Sequence, residues 1–72
     1  MTDPTALTVS VNGAPVAVAA GTTLDALVAT LTDAPTGVAA ALNETVVPRG
    51  RWTTAALTDG DRVEVLTAVQ GG

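Results

Sequence analysis

At positions 12 and 13 the chain reads Asn-Gly, the dipeptide preferred in a two-residue type I′ hairpin turn, where both central residues take positive φ. On either side, Leu7-Thr8-Val9-Ser10-Val11 and Ala14-Pro15-Val16-Ala17-Val18 alternate apolar and other residues with the period of a half-buried strand. A two-residue loop sets the register: Val11 faces Ala14, Val9 faces Val16 and Leu7 faces Val18. All the larger apolar side chains of the ribbon then share one face, and that face needs a cover.

A helix follows that can supply it. Thr22 is suited to the N-cap position with Asp25 three residues on, and Leu24, Leu27, Val28 and Leu31 form one apolar stripe. Asp33-Ala34-Pro35-Thr36-Gly37 ends the helix. Val38–Leu42 is predicted as a strand, apolar on both faces and therefore internal to the sheet. Asn43-Glu44-Thr45 marks a turn, Val46-Val47 a short strand stopped by Pro48, and Asp59-Gly60-Asp61 a second turn. Residues 62–69 form the last strand, with Val63 and Val65 on one face and Arg62, Glu64 and Leu66 on the other. With no repeat or linker, residues 1–72 are read as a single domain. The order fits an α+β architecture, a mixed sheet of four to five strands with one helix on one face. Pairing of the first and last strands in the centre would make it a β-grasp; patterning alone leaves that pairing open.

Composition narrows the function. There is no His, Cys, Tyr or Lys, which removes most general bases, thiol nucleophiles, Schiff-base formers and His/Cys zinc sites. An independent enzyme is not expected, nor is a bound metal or cofactor. Seven acids against three arginines give a net charge of −4, which opposes nucleic-acid binding and suits a partner with a positive face. Apolar residues make up 47% of the chain, enough for a small core without disulfides. No apolar stretch approaches the ~20 residues of a spanning helix, and Met1-Thr2-Asp3-Pro4 has no signal-like character. The expected location is the cytoplasm.

The last strand runs directly into Gln70-Gly71-Gly72. Two terminal glycines arise by chance in only about 0.5% of chains. Glycine lacks a Cβ, so such a tail can thread a narrow channel in another protein and present an uncrowded carboxylate. A carboxylate becomes an acyl donor once its oxygen attacks the α-phosphate of ATP, and a sulfur nucleophile can then displace AMP to leave a thiocarboxylate. The Mg²⁺, the phosphate clamps and the nucleophile would belong to a partner.

With these residues in view, the chain resembles the ThiS family of thiamin-biosynthetic sulfur carriers. The resemblance runs from Val9 to Gly72 and is most specific in Asp59-Gly60-Asp61-Arg62-Val63-Glu64-Val65-Leu66-Thr67-Ala68-Val69-Gln70-Gly71-Gly72. It extends to Val11-Asn12-Gly13 and to Ala41-Leu42-Asn43-Glu44-Thr45-Val46-Val47-Pro48-Arg49 with Trp52 beyond. Gly50 stands where family members often carry a polar residue such as Ser. The resemblance implies a ubiquitin-like β-grasp in which Gly72 is adenylated by a ThiF-type, ATP- and Mg-using activating enzyme. A sulfur donor system then yields the thiocarboxylate, which passes its sulfur to thiazole synthase. Gly71 would let the tail enter both partner sites, with Gln70 and Val69 held at the channel mouth. Leu66 and Ala68, directed away from the core, are a candidate docking patch. Trp52 is read as a packing residue, and Arg49 and Arg51 as surface charges. Alternatives are a MoaD-like carrier for molybdopterin or another thiocarboxylate pathway, a protein modifier, and a β-grasp binding module with an idle tail. The Leu66-Thr67-Ala68-Val69-Gln70 approach to the tail, without an aromatic and proline-rich stretch, favours the thiamin branch.

Overall fold

The computed structural model describes residues 6–31 and 37–67. Strands β1 (Ala6–Val11) and β2 (Ala14–Ala19) form an antiparallel hairpin with the expected partners Val11–Ala14, Val9–Val16 and Leu7–Val18. Asn12 at φ 50° and Gly13 at φ 88° make its turn type I′. A second hairpin joins β3 (Val38–Leu42) to β4 (Thr45–Val47), with Leu42 opposite Thr45. Its two turn residues, Asn43 and Glu44, also have positive φ, 51° and 72°. Glutamate in this left-handed region carries a steric cost of about 1–2 kcal/mol.

The last strand, β5 (Arg62–Thr67), decides the topology. It pairs parallel to β1 (Ser10–Arg62, Val11–Val63) and antiparallel to β3 (Val38–Thr67 through Leu42–Val63). The sheet order is β2-β1-β5-β3-β4, with the first and last strands side by side at the centre. This is the ubiquitin-like β-grasp, in a five-stranded mixed sheet.

Helix α1 (Leu24–Leu31) packs on one face through Leu24, Leu27 and Val28. Two details differ from expectation. Thr23, not Thr22, caps the helix: its Oγ1 accepts the Ala26 N–H at 3.3 Å. Thr22 stays outside the helix, its backbone already engaged. Its N–H donates to the Ala19 carbonyl (3.1 Å) and its carbonyl accepts the Leu57 N–H (2.9 Å). Leu31, the fourth residue of the stripe, is 46% exposed, so three residues rather than four seal the core. Of the expected terminating segment, residues 33–36 lie outside the described residues, and Gly37 has φ 80°.

The 3₁₀ segment Arg49–Thr54 supplies a second cover that periodicity did not reveal. It places Trp52, 1% exposed, in the core beside Val9, Val28 and Val63. The indole N–H donates to the Val47 carbonyl at 2.8 Å, which satisfies the one polar atom the ring takes inside. The Arg49 guanidinium lies 5.6 Å from the ring centroid, closing over this residue from the outer side.

Candidate functional site at the end of the last strand

β5 is held at its start and along its β1 side by groups that a plain strand ladder would not supply. Asp61, immediately before it, is 9% exposed. Its carboxylate accepts three hydrogen bonds: from the Thr58 N–H (2.7 Å), the Thr58 hydroxyl (2.9 Å) and the Asn43 side-chain amide (3.0 Å). Burial pushes this carboxyl up, but the bonds from Asn43 and from the Thr58 backbone and hydroxyl outweigh it and hold it below its ordinary value. Asn43 closes the arrangement, its Oδ1 accepting the Arg62 N–H at 2.9 Å. The β3–β4 turn, the Asp59-Gly60 turn and the start of β5 are thereby one hydrogen-bonded unit.

Farther along, β1 ends at Val11, level with Val63, so β5 would lose its parallel neighbour there. Asn12 takes over. Its backbone N–H donates to the Val63 carbonyl at 2.9 Å. Its side-chain amide then bonds both polar groups of Val65, accepting the N–H at 2.9 Å and donating to the carbonyl at 3.2 Å. The amide stands in for one further strand residue. Backbone satisfaction on both sides of β5 therefore continues to Val65.

β5 exposes one side chain row on the face opposite the helix. Leu66 is 71% exposed there, opposite Ala39 of β3, and Val46 of β4 is 72% exposed, opposite Ala41. Leu66, Val46, Ala39 and Ala41 line an open groove of about 380 Å³, bounded by Asn12, Glu44 and Glu64. The apolar character of β3 on both faces thus has two causes: one face is core, the other is this groove. Arg62 and Glu44 approach to 3.4 Å beside it, a pair exposed enough to contribute little to stability.

Of the site residues expected from sequence, Leu66 is placed as anticipated, outward and exposed. Ala68, Val69, Gln70, Gly71 and Gly72 lie outside the described residues. Among the described residues no group of three or more metal-ligating side chains converges, and no helix is long and apolar enough to cross a membrane. Sequence reasoning missed Asn12 as a brace for β5, because its turn role already accounted for it. It missed Val46 as part of the outer groove as well. Two consecutive valines in a strand point to opposite faces, a signal that was available.

The model of the ThiS family matches residues 9–72. The chain belongs to the ThiS family. Its fold is also similar to the crystal structure of the thiamine biosynthesis protein ThiS from Geobacter metallireducens. The two share 32% identity and a TM-score of 0.75, over 92% of this chain and all of that one. No curated protein sequence matches the chain. Within the ThiS family match fall Asn12, Asp61 and Leu66, so the braced strand and its outward residue are both part of the matched region.

Proposed function

We propose that this protein is a sulfur carrier of thiamin biosynthesis that works as a co-substrate, its reacting group being the Gly72 carboxylate. The observation that carries the reading is the placement of β5. The central strand of the sheet, bonded on both sides as far as Val65, carries Leu66 outward beside an exposed apolar groove, six residues before Gly72. A rigid body holding a short glycine-ended tail gives an enzyme a surface to grip while the tail enters its active site. Family membership and the similarity to a thiamine biosynthesis protein support the same pathway.

In this reading a carboxylate oxygen of Gly72 attacks the α-phosphate of ATP in a ThiF-type activating enzyme, and pyrophosphate leaves. The partner supplies ATP, Mg²⁺ and the phosphate clamps. A sulfur nucleophile from the donor system then displaces AMP, and the resulting thiocarboxylate delivers sulfur to thiazole synthase. Gly71 permits close approach of the partner's walls, and Gln70 and Val69 occupy the channel mouth. Leu66 and Val46, with Ala68 continuing toward the tail, dock on the partner, and Glu44 and Glu64 meet basic groups around it. The setting is the cytoplasm, with the nucleotide-using partners.

Deleting Gly72 tests the carrier role, read as ATP–pyrophosphate exchange by the activating enzyme. The exchange should vanish while the fold, followed by Trp52 fluorescence, is unchanged. Leu66→Asp tests the docking face separately. Placing a charge in the apolar contact should weaken binding to the activating enzyme by at least about tenfold, and unchanged affinity removes Leu66 from the interface.

A further inference from the structure

The opposite edge of the sheet carries an independent feature. Along β1, the N–H groups of Thr8, Ser10 and Asn12 bond to Asp59 Oδ1 (2.8 Å), the Asp61 carbonyl (2.9 Å) and the Val63 carbonyl (2.9 Å). The even-numbered residues of β1 therefore face β5, and Leu7, Val9 and Val11 exchange their backbone bonds with Val18, Val16 and Ala14. It follows that Pro15, Ala17 and Ala19 of β2 turn their backbone groups outward, at the open edge of the sheet.

Those outward groups are an unusual set. Pro15 has no N–H to offer. The Ala19 carbonyl is already bonded to the Thr22 N–H at 3.1 Å. Among the described residues, the Ala17 N–H, the Ala17 carbonyl, the Ala19 N–H and the Pro15 carbonyl have no bonded partner. An antiparallel strand of the same sequence, related by a twofold axis at Ala17, matches this set in full. Ala17 exchanges two bonds with its copy. Each Ala19 N–H meets a Pro15 carbonyl, and the donor that Pro15 lacks faces the acceptor that Ala19 has already used. A slip of two residues one way sets the Ala17 N–H against that engaged carbonyl. A slip the other way sets the Ala17 carbonyl against proline.

The side chains agree with this register. Val16 lies opposite the copy's Val18, both half-buried on the helix-facing side and both in the closer, non-hydrogen-bonded type of pair. They border a groove of about 460 Å³ completed by Thr22, Ala26, Leu27 and Thr30. Neither the strand nor this groove contains an ionisable side chain, although the chain carries a net charge of −4. Two like-charged copies meet with least repulsion at such a face. Lysine, the usual guard of an exposed edge, is absent from the whole sequence.

We propose that β2 is a self-association edge: two copies of this chain pair antiparallel about Ala17 and join their sheets into one. The β5 end and the Leu66 groove stay clear, because β1 separates β2 from β5. Sedimentation equilibrium from about 10 µM to about 1 mM tests the proposal on the full chain. The mass should rise with concentration from 7.1 kDa toward twice that value. The Ala17 and Ala19 amides should become protected from hydrogen exchange as it does. Ala17→Pro removes both bonds at the axis without taking a bond from β1, and should raise the dimer Kd by at least about tenfold. Ala17→Lys, which sets two charges opposite each other at the axis, should do the same if the proline variant fails to fold. A wild-type chain that remains monomeric throughout overturns the proposal, including when the edge accepts a strand from another protein. Variants that dimerise as well as the wild type overturn it equally.

Discussion

Replacing Asp61 by Ala removes three hydrogen bonds to a carboxylate that is 9% exposed. Bonds to a charged acceptor contribute about 1.5–3 kcal/mol each. Thr58 and Asn43 are themselves exposed, so water re-solvates their freed donors and about 1 kcal/mol per bond survives. The expected loss is about 3 kcal/mol, or about 12–24 °C in Tm for a domain of this size. Asp61→Asn keeps the shape but turns an amide N–H toward one of the donors, and should lose about 1–2 kcal/mol. Urea titration followed by Trp52 fluorescence measures both, since Trp52 is buried and is the sole aromatic. The pH dependence has a defined sign. The folded carboxyl titrates below its unfolded value, so its stabilisation is complete above about pH 4–5 and is lost as pH falls through the folded-state value. The gap between wild type and Asp61→Ala should narrow on acidification. A gap under about 0.5 kcal/mol at neutral pH would refute the bracing role. A gap that stays constant to about pH 2.5 would refute the charge-assisted part of it.

Other substitutions test other supports. Glu44→Gly relieves the left-handed strain at φ 72° and sacrifices only an exposed ion pair, so it should stabilise the protein by about 0.5–1 kcal/mol in the same titration. Asn12→Ala loses both side-chain bonds to Val65 and places a Cβ-bearing residue without a compensating polar group at φ 50°, for about 2–3 kcal/mol. Asn12→Gly keeps the turn and should lose about 1 kcal/mol less, and equal losses would show that the turn angle is immaterial. Trp52→Phe removes the indole bond to Val47 along with ring volume, and should cost about 2–3 kcal/mol by circular dichroism on urea titration.

Much of the fold was legible because two independent signals coincided. Asn12-Gly13 and the flanking alternation agree on one register, and the structure has that register residue for residue. The central β1–β5 pairing lies between segments some fifty residues apart, and no local pattern encodes it; the family resemblance carried it. The 3₁₀ segment was illegible for a different reason. Its six residues are too short for a period, and Gly50 between two arginines reads as loop. Asp25 three residues on favours Thr22 as the cap in sequence, and only the engagement of the Thr22 backbone, its N–H on the Ala19 carbonyl and its carbonyl under the Leu57 N–H, moves the cap to Thr23. At the site, alternation along β5 was enough to turn Leu66 outward. Asn12 and Asp61 were harder, since a polar residue in a turn has a sufficient local role and its long-range bonds leave no mark in the sequence.

Sulfur carriage by this protein turns on one atom of Gly72. The most direct measurement is the intact mass of the protein after incubation with its activating enzyme, MgATP and a sulfur donor, with fragmentation to locate any change. An oxygen-to-sulfur mass increase confined to Gly72 is expected. An unchanged mass, with an activating enzyme that loads another carrier under the same conditions, would contradict it. So would an adduct joining Gly72 to the lysine of a second protein.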